Sequence, residues 1–254
     1  MALFTDGPIS ELDDLVAQDS QLFDVAAGEG IDVTRKMALA QDELGLDLVT
    51  MLGRLSFVDQ PFWLAPQPSL ARVVVTAGLK FWHTYRSLEL VYSDAYNNQF
   101  NDRYGAKRDQ FHAMAKKACD KLSEIGIGVV SIPVARAATP LLAAIPGSLS
   151  DGTYYVTIAW VNDAGEEGAS AVPGVITLAS SGLQVQPEAP PQNAATWNVY
   201  VGDAPETMVL QNGAPIGAGH IWQQTASLTQ TGQKPGSGQT PTYLKPTPRV
   251  IQRG

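Results

Sequence analysis

Apolar residues in the first half of the chain recur every three or four positions, which is the spacing of one face of an α-helix. One long row follows Asp32 or Thr34, either of which can open a helix, and continues to Leu55. Shorter rows follow Ser10 and Ser20, which we expect to cap two short helices through their side-chain oxygens. The pattern therefore predicts three helices in this part of the chain.

Two further helical rows follow a proline-rich stretch at 58–69, which is unsuited to a helix or an inner strand. The first begins near Ser69, residues 101–105 are predicted to form a turn, and Gly126 and Gly128 stop the second. The rows consist of Phe81, Tyr85, Leu88, Tyr92, Ala95 and Gln99 in the first, and Phe111, Met114, Ala118, Leu122 and Ile125 in the second. Packing between antiparallel helices is their expected role.

Helical spacing stops after Pro133 and Pro140, where glycine, proline, threonine and serine become frequent, which predicts a domain boundary within residues 131–149. Short alternating segments separated by turns follow, a pattern typical of a β-sandwich. The predicted strands are 153–161, 174–178, 183–186, 195–201, 207–211 and, more weakly, 220–223.

The sequence therefore predicts an α+β multidomain fold. It consists of an N-terminal antiparallel helical bundle, an all-β sandwich and an extended C-terminal arm. The expected bounds are 1–139 for the helical domain, 140–230 for the sandwich and 231–254 for the basic arm. The arm is poor in apolar residues and rich in proline and glycine, so we expect it to lie outside a core.

The net charge of −8 argues against general nucleic-acid binding, which needs clustered lysine and arginine. The charge is unevenly distributed, because residues 1–32 hold eight acidic and no basic residues, whereas residues 234–254 hold four basic and no acidic ones. Contacts with two different surfaces, head-to-tail contact between copies and solvated termini all fit this asymmetry. A basic cluster on the last predicted helix is either a solvated face or a partner contact, and its members are Lys107, Arg108, Lys116, Lys117 and Lys121.

The single cysteine, Cys119, excludes a disulfide within the chain and fits a reducing compartment. We expect a buried structural thiol, since no histidine close in the sequence pairs with it as a nucleophile would require. His83, His112 and His220 are scattered over different segments. His83 and His112 could approach each other across the helix pair, but no carboxylate or thiol stands beside either at metal-ligand spacing. We therefore predict no metal site.

Other catalytic patterns are missing from the sequence. No glycine-rich phosphate loop precedes a helix, and the GxSxG motif of serine hydrolases is absent. The pairs Asp13/Asp14 and Glu166/Glu167 fall at a helix start and in a turn, where we expect solvated charges. The N-terminus has no basic and apolar signal-peptide pattern, and no apolar run approaches the length of a membrane span. We therefore predict no enzyme, catalytic residue, cofactor or membrane contact.

Sequence words in both halves resemble virion proteins of tailed bacteriophages. In the first half AAGEGIDVTRKMALAQDEL (26–44), LELVYSDAYNNQFNDRYGAKRDQF (88–111) and IGIGVVSIPVARAATP (125–140) resemble head-to-tail connector, or adaptor, proteins. In the second half GTYYVTIAWVNDAGEEGASA (152–171) and ATWNVYVGDAPETMVLQNGAPI (195–216) resemble fibronectin type III or immunoglobulin-like domains. Such a β-domain is an addition to the minimal helical adaptor.

The resemblance implies a structural virion protein that forms a homo-oligomeric ring, typically a dodecamer, beneath the portal. Its expected partners are the portal protein, a downstream tail, stopper or tail-tube protein, and DNA that passes without sequence-specific binding. The expected location is the capsid vertex or neck, after synthesis in the host cytoplasm. A decoration, tail-completion or baseplate protein that binds through its β-domain is the main alternative, and a hydrolase with a binding module is a more remote one.

The basic arm is the expected contact with the portal or with an adjacent subunit. It combines low apolar content with a few apolar side chains that a partner could cover. The residues proposed for this contact are Lys234, Tyr243, Leu244, Lys245, Arg249, Val250, Ile251 and Arg253.

Overall fold

The computed structural model describes residues 1–55, 69–99, 102–236 and 238–245. Helices fill the first half of the chain and antiparallel sheets fill the second. The predicted α+β arrangement is therefore confirmed.

The chain forms two compact units. A β unit contains residues 1–6 and 130–241, and a helical unit contains residues 7–129 together with the chain from residue 242. The chain therefore passes between the units after positions 6, 129 and 241, whereas the predicted boundaries lie after positions 139 and 230.

In the described part of the helical unit there are five α-helices and a short 3-10 turn at Leu70–Arg72. The helices are α1 (Leu12–Gln18), α2 (Leu22–Glu29), α3 (Val33–Leu55), α4 (Ala77–Gln99) and α5 (Asp102–Ile125). Gly30 ends α2 at a φ of 66°, and Gly126 follows α5 at a φ of 112°, which are backbone conformations that favour glycine. The predicted turn at 101–105 is wrong from Asp102 onward, because α5 already begins there.

Two of the predicted helix caps have other roles. Ser10 is fully buried, and its hydroxyl lies 2.9 Å from the Thr84 hydroxyl, while Glu11 caps α1 in a capping box with Asp14. Gln21 rather than Ser20 stands at the N-cap of α2.

Of the two residues expected to open α3, Asp32 precedes its first residue, and Thr34 lies inside the helix. Its carboxylate accepts a hydrogen bond of 3.0 Å from the backbone N–H of Arg35, so it satisfies a donor that the first turn leaves free.

Helix α4 lies at the centre of the helical unit and packs on α1, α2, α3 and α5. Leu88 and Tyr92 of α4 and Phe111 of α5 are buried in its core, as the predicted rows require. The ends of those rows differ from the prediction, since Phe81 is 49% exposed and Ile125 is 54% exposed.

The basic residues of α5 do not all form one solvated face. Lys107 donates to the buried carboxylate of Asp19 at 3.0 Å, and Tyr92 donates to the same carboxylate at 2.6 Å. Burial would raise the pKa of Asp19, but these hydrogen bonds outweigh it and lower the pKa. Lys107 therefore pairs with a buried carboxylate of its own unit while remaining half-buried itself, and the Arg108 guanidinium lies 4.8 Å from the centre of the Tyr96 ring.

Ten strands are present in the described residues. They are β1 (Ile127–Val129), β2 (Leu141–Pro146), β3 (Gly152–Val161), β4 (Gly174–Leu178), β5 (Ser181–Gln186), β6 (Thr196–Gly202), β7 (Val209–Leu210), β8 (Ile216–Gly217), β9 (Trp222–Gln224) and β10 (Thr242–Leu244). In the β unit one sheet has the order β2-β5-β9 and the other β4-β3-β6-β7, with β8 also paired to β6. Side chains from both sheets share one core, which makes this unit a β-sandwich.

Four strands were not expected, and one of them is β8, which pairs with β6. Strand β2 falls inside the predicted boundary segment, and its pattern of exposure does not alternate. Strands β1 and β10 pair with each other in the helical unit, although they are far apart in the sequence.

The acidic residues of the turn after β3 form hydrogen bonds with other side chains of the chain. Glu167 accepts a hydrogen bond of 2.6 Å from the Tyr200 hydroxyl, and burial raises the pKa of Glu167. Glu166 accepts hydrogen bonds of 2.9 Å from the side-chain amides of Asn162 and Gln239. The expectation of solvated charges is therefore wrong for Glu167, whereas Glu166 is exposed as expected, although it is also hydrogen-bonded.

The described part of the C-terminal arm is extended but lies against the chain's own units. The buried side chain of Gln239 accepts from the Val134 backbone N–H at 2.7 Å and donates to the Ile132 carbonyl at 2.8 Å. Farther along, Tyr243 of β10 pairs with Gly128 of β1. The arm therefore contributes to both units, contrary to the expectation that it lies outside a core.

Candidate interaction groove of the helical unit

A groove lies over α4 between α3 and α5, and we name it the α3–α5 groove. Its volume is about 460 Å³, and its lining includes the buried side chains of Leu44, Trp82 and Ala115. The helices α3 and α5 supply its walls, so its side chains come from three segments that are distant in the sequence.

A charged network occupies the inner part of this groove. Arg86 of α4 lies 2.6 Å from a carboxylate oxygen of Glu43 and 2.6 Å from Oε1 of Glu89. Nδ1 of His112 is 2.9 Å from the same Glu89 oxygen. The side chain of Glu89 is only 10% exposed, and a carboxylate buried to this degree depends on its cation and hydrogen bonds for stability.

One atom of the network has no hydrogen-bond partner. Oε2 of Glu89 is buried and is not hydrogen-bonded by any residue that the structure describes. Leaving a buried acceptor unpaired costs about 1–3 kcal/mol or more when it is charged. The Glu89 carboxylate is therefore hydrogen-bonded by the described residues through one of its two oxygens.

The outer part of the groove carries charges that are not paired. Asp47 of α3 and Asp120 of α5 are exposed, and no ion pair joins either to another described side chain. Cys119 lies between these walls, and burial together with the two aspartates raises the pKa of its thiol to about 11. A thiol in that state is a poor nucleophile at neutral pH, but Cys119 is half-buried and lines the groove, whereas a buried thiol was expected.

The two helical histidines have different surroundings. His83 is fully buried, with Nδ1 2.9 Å from the Ser10 hydroxyl and Nε2 3.0 Å from the Met37 carbonyl oxygen. His112 is 65% exposed at its side chain and lies beside Glu89. Glu89 reaches His112 from the neighbouring helix, a contact that the spacing of the two residues in the sequence did not indicate.

The structure describes half of the residues predicted for partner contact. Lys234, Tyr243 and Lys245 are exposed, and Leu244 is half-buried. The other four, Arg249, Val250, Ile251 and Arg253, lie outside the described residues. The role of all eight in contacting a partner stays a prediction.

Sequence reasoning missed the groove network for a physical reason. Glu43, Arg86, Glu89 and His112 have no common spacing, since they meet only after three helices pack. One signal was available, because Glu89 stands beside Leu88 in the predicted buried row of α4, where an acidic residue needs a partner.

Comparisons with protein-family models, with curated proteins and with solved structures found no significant match. In the part of the chain that the structure describes, no group of three or more histidine, cysteine, aspartate or glutamate side chains could hold a metal ion. None of the described helices combines the length and apolar character that a membrane span requires.

Proposed function

We propose that this chain is a structural virion protein, a head-to-tail connector that forms a ring beneath the portal of a tailed bacteriophage. It joins capsid to tail, and DNA passes through the ring without sequence-specific binding. The resemblance of its sequence words motivates the proposal, and an exposed apolar row on α3 is the structural observation that supports it.

The α3 row consists of Leu39, Leu46 and Val49, which are 44%, 73% and 52% exposed. At 100° per residue they fall within an arc of about 80° on one face of the helix, an arc that also contains the exposed Asp42. Exposed apolar side chains are ordinary when scattered, but a row on one helix face indicates a protein contact. A second copy of the chain is the partner that a ring supplies.

A second apolar surface lies elsewhere on the helical unit. Leu12 of α1 and Phe23 of α2 are 37% and 49% exposed, and they line an open depression of about 620 Å³ with the start of α3. Rings form through heterologous contacts, in which two different surfaces of the subunit meet. The α3 row and this depression provide two such surfaces.

The two remaining partners are assigned to other parts of the chain. The basic arm, with Lys234, Tyr243 and Lys245 exposed, is proposed to contact the portal or an adjacent subunit. The β-sandwich is proposed to lie on the outside of the ring and to contact the tail or stopper protein.

Electron microscopy of virions labelled with an antibody against this chain tests the proposal. A connector is expected to give one label, at the junction of head and tail. Label over the capsid surface or at the tail tip would instead support a decoration or baseplate protein that uses the β-sandwich for binding. Purified virions that contain no copy of the chain would contradict both.

A further inference from the structure

We infer that the free chain forms a two-fold symmetric dimer, in which α3 of one copy packs antiparallel against α3 of a second copy. The contact places Arg35 of each copy beside Asp42 of the other. The dimer does not depend on the connector function, and only its consequence for ring assembly rests on that proposal. The position of an exposed helix face, its charges and a neighbouring depression each support the inference.

The α3 row belongs to a longer exposed face of the helix, which we name the α3 seam. Its five exposed residues follow one another at alternating steps of four and three, and they are Arg35, Leu39, Asp42, Leu46 and Val49. At 100° per residue all five fall within an arc of about 80°. The fully buried Ala40, Leu44 and Leu48 lie on the opposite side of the helix. The seam therefore points away from the core of its own unit and has the spacing with which one helix packs along another.

The two charged residues of the seam determine the direction of the second helix. Arg35 and Asp42 form no ion pair with another described side chain. They stand about 10 Å apart along the helix axis, which is too far for a pair within one helix. In a parallel dimer each would face its own copy, and the like charges would repel. In an antiparallel dimer Arg35 lies beside Asp42 of the other copy, and the symmetry repeats this pair.

This pairing also fixes the centre of the interface. Arg35 and Asp42 are at the same height along the paired helices when the symmetry axis passes between Ala38 and Leu39. The two Leu39 side chains, each 44% exposed in the single chain, are then neighbours and remove each other from water. Ala38 is exposed as well, and its small side chain allows the two helices to approach closely.

The depression beside the start of α3 receives the end of the seam. Its lining includes Ile31 and Asp32. In the antiparallel register Leu46, which is 73% exposed, lies at the height of Ile31 of the other copy. Leu46 and Val49 therefore extend beyond the start of the other α3 at Val33 and lie over the depression. Each copy thus covers exposed apolar side chains of the other with an apolar surface.

The dimer has a consequence for assembly if the chain is a connector. It covers in both copies the α3 row and the depression, which are the two surfaces proposed to provide the ring contacts. Heterologous contacts through these surfaces produce rings or open filaments, whereas the symmetric dimer closes on itself. The free chain is therefore kept from polymerising until contact with the portal separates the two copies.

Cysteine crosslinking tests the register in the full chain. Cys119→Ser removes the native thiol, and Leu39→Cys places a new one beside the symmetry axis. Mild oxidation of this purified variant is expected to link most of it as dimers. The matched control is Val49→Cys in the same background, which is similarly exposed but whose two thiols lie about 30 Å apart in the dimer. Equal linking of the two variants, or none in Leu39→Cys, would overturn the proposal.

Charge exchange tests the ion pair itself. Arg35→Asp and Asp42→Arg, made singly, each replace two attractions by two repulsions and should raise the dimer dissociation constant at least about tenfold. A chain that carries both changes forms the same pairs in reverse and should return close to the native value. Sedimentation equilibrium measures all four proteins. Single variants that associate as the native chain does, or a double variant weaker than either single one, would contradict the pairing.

These measurements use the purified chain, so their outcome is independent of the labelling of virions. Crosslinked dimers of a chain that is absent from virions would contradict the connector function alone. Label at the junction of head and tail, together with no crosslinking through Leu39→Cys, would contradict the dimer alone.

Discussion

At the scale of single residues, the buried His83 links folding to pH. The Met37 carbonyl can only accept, so Nε2 carries the proton and Nδ1 accepts from the Ser10 hydroxyl. Burial lowers the pKa of His83, and the Met37 carbonyl and Asp14 offset this only in part. The folded state therefore binds fewer protons than the unfolded state below the ordinary histidine pKa.

We expect the free energy of unfolding to decrease as the pH falls below about 6.5, and to be unaffected by His83 above that value. Urea unfolding of the native chain and of His83→Gln, measured across this range, isolates the effect, since His112 and His220 are common to both. A pH dependence of equal size in the two proteins would contradict the prediction. Because the variant also loses native hydrogen bonds, it should be less stable at neutral pH by about 1–3 kcal/mol.

Arg86 should be important for stability because it neutralises Glu89. Arg86→Met leaves a carboxylate that is only 10% exposed without its cation, and we expect it to lower the free energy of unfolding by roughly 3 kcal/mol. Lys36→Met is the control, because it removes an ion pair with the more exposed Asp94 and should cost at most about 1 kcal/mol. Equal effects of the two substitutions in urea unfolding would argue against this role.

The sequence did not show whether a polar side chain at a helix start points to the helix end or into the core. Ser10 and Asp32 both precede helical rows, yet only Asp32 caps a helix, while Ser10 points into the core towards His83. A polar residue that caps a helix and one that forms buried hydrogen bonds can both precede a row of apolar residues at helical spacing, so the sequence alone does not distinguish them. Tertiary packing decides between them.

At the scale of elements, the close approach of β2 and β5 depends on glycine. A Cβ on Gly147, just after β2, would lie 2.5 Å from the backbone nitrogen of Gly182 in β5. Gly147→Ala should therefore destabilise the β unit by about 1–3 kcal/mol, because backbone cannot move aside as a side chain can.

Gly213→Ala is the matched control for this prediction. A Cβ there would meet nothing within 4 Å, so the change should stay within about 0.5 kcal/mol of the native chain. Thermal or urea unfolding followed by tryptophan fluorescence measures both variants, since Trp160 and Trp197 lie in the core of this unit. Similar stabilities of the two variants would refute the tight approach.

Elements with strong local patterns were predictable, and elements defined by distant partners were not. Strand β4 was expected within its observed bounds, Gly174–Leu178, because a run of β-branched residues lies between flanking turns. Strand β10 has only three residues, and its partner β1 lies more than a hundred residues earlier in the chain. Such a short strand forms only because of that pairing, so no local pattern indicates it.

At the scale of the whole molecule, charge balance was visible in the sequence but charge location was not. The acidic N-terminal segment was compatible with free solvated charges, yet Asp6 accepts from the backbone N–H of Arg136 at 2.8 Å and Asp19 binds Lys107. Composition gives the number of charged residues but not their positions in the fold.

The α+β arrangement could be predicted because helical and strand periodicities differ along the chain. In contrast, each terminal segment belongs to a different unit from the residues that adjoin it in the sequence, and this depends on long-range contacts.

The last prediction concerns association through the α3 row. Val49→Glu places a charge in that row without altering the α3–α5 groove, so it should shift the chain from oligomer towards monomer, because burying an unpaired charge is unfavourable. Asn97→Glu, at an exposed position of α4, adds the same charge and should leave the assembly unchanged. Sedimentation velocity at several protein concentrations measures both. If Val49→Glu associates as the native chain does, the α3 row is not a subunit contact, and the ring would need a different lateral surface.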